Sequence, residues 1–371
     1  MSAIIKVELP LFAKYDPTNF VKNPSGTMMI DEIQKVPELI TEIKHAVDND
    51  NRPGQYLLTG SANISSLPSV SESLAGRVKN IRLRPLTVGE ILKVRPTFLE
   101  RAFKANFSSQ IKGYDKSTIF DLAFRGGFPE AVRLRTPQER KDWHKDYIDT
   151  LINRDLQDIA NIKRQDALRE LINILASWSG KFMEVSKICS FMAITKPTIE
   201  SYINALEAMY LFEKVSPWTR TDYDRVGRTP KTYMTDTGLM ASVLGWNKND
   251  IMLDTDKSET DRAGKLMETF VFQELTAQIG VDNQYNLFQY RDREKREIDF
   301  LIEREDKALV GVEVKSSARV SADDFAPQRW FVRNILKNKK PYLGIVLYSG
   351  ENTFSFGENM LAVPIAALWA E

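Results

Sequence analysis

Apolar residues in the first part of the chain form short runs that end in polar residues. The segments "AIIKVEL" (3–9), "TMMID" (27–31) and "QYLLTGS" (55–61) have this form, which is typical of strands in a parallel sheet. Between the last two, "PELITEIKHAVDND" repeats apolar residues at helical spacing and predicts a helix. The alternating segment "VKNIRLRPL" (78–86) predicts a further strand. This succession indicates an α/β domain, which we place at residues 1–95.

The pattern becomes helical from about residue 119 to residue 212. Three segments have an apolar face at helical spacing: "DALRELINILASW" (166–178), "EVSKICSFM" (184–192) and the stretch that begins "ITKPTIESYINALEA" (194–208). The strand-like "LFEKV" and the basic loop "SPWTRTDYDRVGRTPKTYMTD" follow. Three helices and a strand pair around a basic loop are the outline of a winged helix-turn-helix. We place this domain, with a helical linker before it, at residues 96–250.

The last part of the chain combines helices and strands. A helix at "KLMETFVFQELTAQI" precedes three strands, "YNLFQY", "EIDFLIE" and "LVGVEVK", and then a further helix and the strand "YLGIVLY". A polar stretch near residues 250–262 separates this region from the one before it. We place the third domain at residues 255–371. The predicted fold class is therefore α/β plus α+β.

Composition narrows the function classes. The 371 residues include 51 Lys and Arg against 50 Asp and Glu, so the net charge gives no general attraction to nucleic acid. The single cysteine excludes a disulfide framework, and no apolar segment approaches the roughly 20 residues of a membrane span. These features favour a cytoplasmic protein without a membrane partner.

Asp31 and Glu32 follow an apolar strand, which is the arrangement of the Walker B site in nucleotide hydrolases. There Asp31 would hold Mg²⁺ and Glu32 would orient the attacking water. The phosphate-binding motif G-x-x-x-x-G-K-[ST], whose backbone N–H groups and Lys hold the phosphates, does not occur in the sequence. The two Gly-Lys pairs, Gly180-Lys181 and Gly264-Lys265, lack the second Gly and the hydroxyl. We interpret both pairs as turns that precede helices.

The segments "IDEIQKVPELITEIKHAVD", "RPGQYLLTGSAN", "LPSVSESLAGRV", "FRGGFPEA" and "YMTDTGL" resemble the AAA-type P-loop ATPases of bacteria and archaea. These carry a winged-helix domain of unknown function and a restriction-endonuclease-like C-terminal domain. The resemblance implies ATP and Mg²⁺ as cofactors, with Asn63 and Arg77 as further nucleotide-contacting residues. It also implies that a Walker A segment is missing here from the N-terminus. In such sheets the P-loop strand lies between the strands that end at Asp31 and near Asn63, so we expect a gap there.

A group of carboxylates in the last domain suggests a second site. Asp299 lies within an apolar strand, while Glu313 and Lys315 lie on one face of another strand because they are two residues apart. Glu268 on the preceding helix supplies a third carboxylate. The order resembles the restriction-endonuclease-like signature, in which carboxylates bind Mg²⁺ or Mn²⁺ and the Lys orients water. The alternative is a salt-bridged strand pair without activity.

The winged-helix region contains the candidate nucleic-acid contacts. They are polar or basic side chains on the predicted recognition helix and wing: Lys196, Thr198, Arg220, Arg225, Arg228 and Lys231. Basic side chains in a loop contact phosphates while a helix enters the major groove. Winged helices also bind proteins, so the predicted partner is DNA or a protein.

Three functions fit these patterns. The leading hypothesis is a truncated member of the AAA-type ATPase family, defective in ATP hydrolysis on its own, whose other domains bind nucleic acid or protein. The second is a metal-dependent DNA nuclease. The third is a non-catalytic interaction protein.

Overall fold

The computed structural model of the chain describes residues 4–7, 11–22, 26–60, 76–155, 164–219, 229–253, 257–281, 284–337 and 339–370. The chain divides into two compact units. The first comprises residues 1–82, 150–163 and 200–211, and the second comprises the remainder. Among the described residues, no helix has the length and apolarity that crossing a bilayer requires.

A small parallel sheet forms the centre of the first unit. The elements of this part of the chain are β1 (Ile4–Val7), α1 (Leu11–Tyr15), α2 (Pro17–Phe20), β2 (Thr27–Ile30), a 3₁₀ turn (Ile33–Lys35), α3 (Glu38–Asn49) and β3 (Tyr56–Leu58). The strand order is β1-β2-β3, with both pairs parallel. Ile30, Leu39 and Ile40 are fully buried, because the apolar face of α3 and the buried face of β2 belong to one core. The predicted strands and the helix between them are confirmed.

The expected gap in this sheet is absent from the described residues. Met28 of β2 lies opposite Tyr56 of β3, so the two strands pair directly. Thr59 N donates to Ile30 O at 2.9 Å and continues the pairing beyond the strand. The expectation that a P-loop strand separates them is therefore wrong for this structure. Direct pairing satisfies the backbone groups that a gap would leave without partners.

The strand predicted at 78–86 is also wrong, since this segment has no regular structure. Its alternating apolar residues point outward, and Leu83 is 91% exposed. Arg84 instead forms a bidentate ion pair with Glu213, with Nη1–Oε1 and Nη2–Oε2 distances of 2.5 and 3.0 Å. The apolar alternation of this segment therefore does not mark a buried face of a sheet.

The middle of the chain is mainly helical, as the pattern predicts. Its elements are α4 (Val88–Leu92), α5 (Phe98–Phe103), α6 (Lys116–Arg125), α7 (Pro129–Arg133), α8 (Pro137–Thr150) with a π-helical continuation (Leu151–Asp155), α9 (Gln165–Ser177), β4 (Lys181–Phe182), α10 (Val185–Met192), α11 (Lys196–Ala208), β5 (Phe212–Val215), β6 (Lys231–Met234), α12 (Thr237–Val243) and α13 (Lys248–Leu253). The three strands form an antiparallel sheet in the order β4-β6-β5.

The C-terminal part is built on a six-stranded mixed sheet. Its elements are α14 (Lys257–Val281), β7 (Tyr285–Arg291), β8 (Glu297–Arg304), β9 (Leu309–Lys315), a 3₁₀ turn (Ala322–Phe325), α15 (Ala326–Trp330) with a π-helical continuation (Phe331–Leu336), β10 (Tyr342–Tyr348), β11 (Phe354–Ser355), β12 (Met360–Pro364) and a 3₁₀ turn (Ile365–Leu368). The strand order is β11-β12-β10-β9-β8-β7, with β10 parallel to β9 and β12. The predicted helices and strands are confirmed, whereas β11 and β12 were not predicted.

A buried aspartate connects the segments "FRGGFPEA" and "TDTGL" within the second unit. Asp236 Oδ2 accepts a hydrogen bond from Gly127 N at 2.6 Å, and its Oδ1 accepts one from Leu239 N at 2.7 Å. The second bond caps α12 at its N-terminus. A Cβ at residue 127 would lie 2.1 Å from Leu86 O, so glycine is required for this close approach.

Two side chains of helix α14 accept backbone hydrogen bonds from the starts of α4 and α12. Glu274 Oε1 accepts a hydrogen bond from Val88 N at 2.9 Å, and Gln273 Oε1 accepts one from Thr237 N at 3.2 Å. Glu274 is fully buried, and burial raises the pKa of its carboxyl to about 8. The helix therefore joins the start of α4 to the start of α12 through polar contacts inside the core.

We predict that Gly127→Ala lowers the free energy of unfolding by about 2 to 4 kcal/mol, because the added Cβ collides with backbone and not with a movable side chain. Gly264→Ala is the matched control, since its Cβ meets open space within α14. This control is expected to change stability by less than about 1 kcal/mol. Denaturant unfolding of both variants measures the difference. Equal destabilisation of the two would show that the Gly127 contact is not restrictive.

We also predict that Glu274 makes stability fall with rising pH. The pKa of its carboxyl is about 8 in the folded state, against an ordinary value of 4.5. The folded state therefore binds this proton more tightly than the unfolded state. The stabilisation is therefore fully present below about pH 4.5 and is lost as pH rises towards 8, by an amount on the order of 3–5 kcal/mol.

Glu274→Gln removes this titration and is expected to be more stable relative to wild type at pH 8.5 than at pH 5.5. Urea unfolding at both pH values tests it. An unchanged difference between the two proteins would assign the pH dependence to other groups.

Candidate functional site

The carboxylates singled out in the C-terminal part come from three elements. Glu268 lies on α14, Asp299 on β8 and Glu313 on β9. Phe300 lies opposite Val312 in the antiparallel pairing of the two strands, so Asp299 and Glu313 occupy the neighbouring positions one step further along. Glu268 of α14 belongs to the same group of charged side chains.

Lys231 of β6 lies inside this group of carboxylates. Its Nζ donates hydrogen bonds to Glu268 Oε1 at 2.8 Å and to Asp299 Oδ1 at 3.2 Å, and it forms a close ion pair with Glu297 Oε1. The lysine side chain is only 2% exposed. We call Lys231, Glu268, Glu297 and Asp299 the lysine cluster.

Two further groups donate hydrogen bonds to carboxylate oxygens of the cluster. Tyr233, two residues along β6 and therefore on the same face, donates its hydroxyl to Glu268 Oε1 at 2.6 Å. Asp299 Oδ2 accepts a hydrogen bond from Val314 N at 3.0 Å. These contacts fix the rotamers of both carboxylates, which is what a buried polar group requires.

Glu313 belongs to a second ion pair beside the cluster. Lys315 Nζ donates to Glu313 Oε1 at 3.2 Å and lies 3.5 Å from Asp324 Oδ1. Lys315 thus pairs with Glu313, while Lys231 pairs with the three carboxylates of the cluster.

Burial and mutual repulsion shift the proton affinities of this region. Burial raises the pKa of Glu268 to about 7, and the nearby charge of Asp299 adds to this effect. Burial and Asp299 likewise raise the pKa of Glu313 well above its ordinary range. Burial opposes the charged form of Lys231, but attraction to Glu268 and its neighbours raises the pKa of this ammonium well above its usual value. Lys231 is therefore a permanent cation at neutral pH.

Two cavities adjoin the cluster. One, of about 380 Å³, is lined in part by Glu268, and the other, of about 390 Å³, is lined in part by Glu297. Both Gly-Lys pairs line the first cavity. Gly180 lies in a turn, as we interpreted it, but this turn leads into strand β4 and not into a helix. The interpretation is wrong for Gly264-Lys265, which lies inside α14.

The donor set does not fit a divalent metal as the side chains stand. Within the described part of the chain, no three His, Cys, Asp or Glu side chains form a group arranged to hold a metal ion. Glu268 and Asp299 each direct an oxygen to the Lys231 ammonium, so the place between them is filled by a cation of the protein itself. The predicted Mg²⁺ or Mn²⁺ ligation by Glu268, Asp299 and Glu313 therefore has no support from this arrangement.

Asp31 and Glu32 lie at the end of β2 in the first unit. Asp31 accepts a hydrogen bond from the hydroxyl of Thr59, which follows β3, and Glu32 accepts one from the Gln34 amide. The carboxyl ends of the two parallel strands thus bring Asp31 and Thr59 together. Arg77 Nε donates to Asp48 of α3 at 2.5 Å. Asn63, predicted to contact nucleotide, lies outside the described residues.

The candidate nucleic-acid residues differ in their exposure and in their contacts. Lys196 is exposed at the start of α11, and Thr198 is partly buried, with its hydroxyl 2.9 Å from that of Thr195. Arg220, Arg225 and Arg228 lie outside the described residues. Our prediction that Lys231 contacts nucleic acid is wrong, because its buried ammonium binds carboxylates and is not available to a phosphate.

Sequence reasoning missed Glu297 and Tyr233. Glu297 lies two residues before Asp299 in β8, so strand alternation places both on one face and would have identified it. Tyr233 stands in the same relation to Lys231. No sequence signal indicated that Lys231 of β6 contacts Glu297 and Asp299 of β8.

Family comparisons give an assignment for each part of the chain. Residues 5–92 match the family model described as "AAA domain". The N-terminal part of the protein is AAA-like. Residues 116–250 and 263–368 match models described as "Domain of unknown function (DUF8612)" and "Domain of unknown function (DUF4143)". Lys231 thus lies in the DUF8612 segment, and its three carboxylate partners lie in the DUF4143 segment.

Relatives of this chain occur in bacteria and archaea. An uncharacterized protein of Mycobacterium tuberculosis is 26% identical over 352 residues, which cover 94% of this chain and 70% of the relative. An uncharacterized protein of Methanocaldococcus jannaschii is 26% identical over 301 residues, which cover 79% of this chain and 62% of the relative. The mycobacterial similarity extends across all three matched segments.

We predict that Lys231→Met destabilises the protein by about 3–5 kcal/mol at pH 8, because it leaves the carboxylates around the buried ammonium without their cation. The loss is expected to be smaller at pH 6, where Glu268, with its pKa of about 7, is protonated in the wild-type environment. Lys214→Met on the adjacent strand β5 is the control. Chemical denaturation at both pH values measures the difference, and a pH-independent loss would contradict the charge argument.

Proposed function

We propose that this chain is an AAA-like protein that binds nucleic acid through its middle region, with a nuclease-like C-terminal part that does not cleave. The single observation that carries the proposal is the Lys231 ammonium between Glu268 and Asp299. Hydrolysis of a phosphodiester by two carboxylates and a lysine uses a divalent ion at that place. A lysine held there by three carboxylates instead favours a binding role.

The arrangement of the middle region supports the nucleic-acid partner. The chain order from α9 to β6 is helix, strand, helix, helix, strand, strand, and the strands pair as β4-β6-β5. This is the order of a winged helix-turn-helix, in which α11 is the recognition helix. Lys196 is exposed at the first position of that helix. Arg220, Arg225 and Arg228, which we assigned to the wing from the sequence, lie outside the described residues.

We propose an impaired nucleotide site in the AAA-like part. Asp31 and Thr59 lie together at the strand ends, as a Mg²⁺ ligand and a sensor residue would. The printed sequence contains no G-x-x-x-x-G-K-[ST] loop to hold the phosphates. Glu32 is therefore a candidate base without a bound substrate. ATP turnover by this polypeptide alone is expected not to exceed that of Glu32→Gln.

A metal-dependent DNA nuclease is the second candidate function. The observation in its favour is the Lys315–Glu313 hydrogen bond of 3.2 Å beside Asp299, which places the three signature residues in one region. In this alternative Asp299 and Glu313 are the metal ligands and Lys315 orients water. It requires that the divalent ion displace Lys231.

One experiment separates the two candidates. A labelled DNA duplex is incubated with the full chain and millimolar Mn²⁺ or Mg²⁺, and both retardation and cleavage are followed on gels. We expect binding without cleavage. Lys196→Ala should weaken binding and reduce the slope of log affinity against log salt by about 1. Lys339→Ala, at an exposed position of the C-terminal part, is the control and should leave both unchanged.

Cleavage that requires the divalent ion and disappears in Asp299→Ala would replace the binding proposal with the nuclease. Absence of both binding and cleavage would leave the interaction-protein hypothesis, in which the partner is a protein.

A further inference from the structure

The cavity of about 390 Å³ is bordered by both the middle region and the C-terminal sheet of the second unit. Its walls come from the turn after α9, from β4 and α10, and from the facing ends of β7 and β8. The volume falls within the range of about 300–1,000 Å³ that is usual for small-molecule pockets. Two aromatic and three basic side chains contribute to the lining, together with two glutamates.

Both glutamates of the lining already have a cationic partner. Glu184 Oε1 accepts a hydrogen bond from Lys187 Nζ at 2.7 Å, and Glu297 forms its close ion pair with Lys231. Their negative charges are therefore largely offset by neighbouring cations, and they do not prevent an anion from entering the cavity.

The other two cations of the lining have only long contacts with carboxylates. Lys181 Nζ lies 3.8 Å from Asp261 Oδ2, and Arg291 Nε lies 3.9 Å from Glu297 Oε2. Within the described part of the chain, neither side chain donates a hydrogen bond. The guanidinium of Arg291 lies over the Phe182 ring, 4.4 Å from its centroid, which holds the guanidinium in place. Both cations therefore have donors available to a phosphate.

Trp178 gives the cavity a flat apolar surface. This residue is half-buried in the turn that follows α9, and Lys181 N closes the turn by donating to Trp178 O at 2.8 Å. Gly180 occupies the third position of the turn with a φ of +76°, a conformation that favours glycine. Among the described residues, no ring or cation packs against the indole. The turn thus places a stacking surface and an ammonium at one cavity.

We propose that this cavity receives one unpaired nucleotide of a DNA strand, with its base against Trp178 and its phosphate at Lys181 and Arg291. The inference rests on the proposed function, in which the middle region binds nucleic acid. An aromatic side chain stacks on any base, because every base has a flat face, and cations beside it contact the phosphate. The pocket therefore recognises the unpaired state of the nucleotide and not the identity of its base.

The shape of the site favours an unpaired nucleotide over duplex DNA. A base within a duplex is stacked between its neighbours and has to leave the stack before it can enter a protein cavity. Lys187 of the lining belongs to α10, which directly precedes α11 and its exposed Lys196 in the chain. The pocket thus extends the proposed binding region. The neighbouring cavity of about 380 Å³ fits less well, because its described lining contains Asp261 and Glu268 and no aromatic ring.

The test measures DNA binding by the full chain in a chelator, so that no divalent ion supports cleavage. Fluorescence anisotropy compares a blunt duplex, the same duplex with a short single-stranded overhang, and this second duplex with an abasic overhang. We expect wild type to bind the overhang duplex about 10-fold more tightly than the blunt duplex, and the abasic overhang to lose most of this gain.

Trp178→Leu keeps an apolar side chain but removes the flat ring. It should abolish the gain from the overhang and bind the blunt duplex as wild type does. Phe354→Leu, at an exposed aromatic residue of β11, is the matched control and should retain the gain. A gain of wild-type size in Trp178→Leu would overturn the inference.

Lys181→Met provides a second measurement at an exposed position, where the substitution does not disturb the core. It should lower the slope of log affinity against log salt by about 0.7 for the overhang duplex and leave the slope for the blunt duplex unchanged. Lys339→Met is the control and should change neither slope. If Trp178→Leu does not fold, an unchanged overhang slope in Lys181→Met overturns the inference.

The remaining outcomes separate the pocket from the proposed function. Equal binding of the blunt and overhang duplexes by wild type rejects only the pocket, whereas no binding of wild type to any of the three probes rejects the proposed function. Competition by a free deoxynucleoside monophosphate, at the concentrations at which the overhang duplex binds, would assign the pocket to free nucleotides and reject its assignment to a DNA strand.

Discussion

The ion cluster around Lys231 is the contact on which the C-terminal part of the second unit depends. It joins β6 of the small antiparallel sheet to α14 and to β8 of the six-stranded sheet. An ammonium that is 2% exposed is stable only if its surroundings replace the water it has lost. Three carboxylates supply that replacement here, and the Tyr233 hydroxyl donates to one of them, Glu268. The favourable charge interactions also require an ordered geometry, so the cluster specifies how these elements meet.

Asp236 and Glu274 place the same kind of requirement on the rest of the second unit. Both are fully buried carboxyls with raised pKa values, about 6 for Asp236 and about 8 for Glu274, and burial is the main cause in each. Each accepts a backbone hydrogen bond from a segment far away in sequence, Gly127 or Val88. The core of this unit is therefore held by polar contacts to backbone as well as by apolar packing.

Hydrophobic periodicity was sufficient for most of the helices and strands. The apolar face of α9 and the two-residue alternation of β8 and β9 are strong, local signals, and they placed Asp299 and Glu313 in neighbouring strands. The segment at 78–86 shows where this method fails. Its alternation resembles a strand, but the segment has no regular structure, and its Arg84 pairs with Glu213, 129 residues away. A pattern within one segment contains no record of such partners.

The sequence analysis assigned Lys231 of the candidate site incorrectly for the same physical reason. Lys231 was assigned to a basic wing because Arg and Lys surround it in the sequence. Its partner Asp299 is 68 residues away, and only the pairing of β6 in the small sheet directs the side chain inward. In the AAA-like sheet, the position of Asp31 at the end of an apolar strand followed from the sequence pattern. The direct pairing of β2 with β3 did not follow, since strand order is a property of the whole sheet.

The division of the lysine cluster between two family segments limits how such proteins can be recombined. The DUF8612 and DUF4143 segments match separate family models, and a chimera that exchanges one of them is a natural way to study either. A DUF8612 segment with an apolar residue at the position of Lys231 would leave the partly exposed Glu268 and Glu297 and the buried Asp299 without their shared cation. The converse exchange would bury an ammonium among groups that do not neutralise it. The two segments are therefore exchangeable only as a matched pair, although each has its own fold pattern.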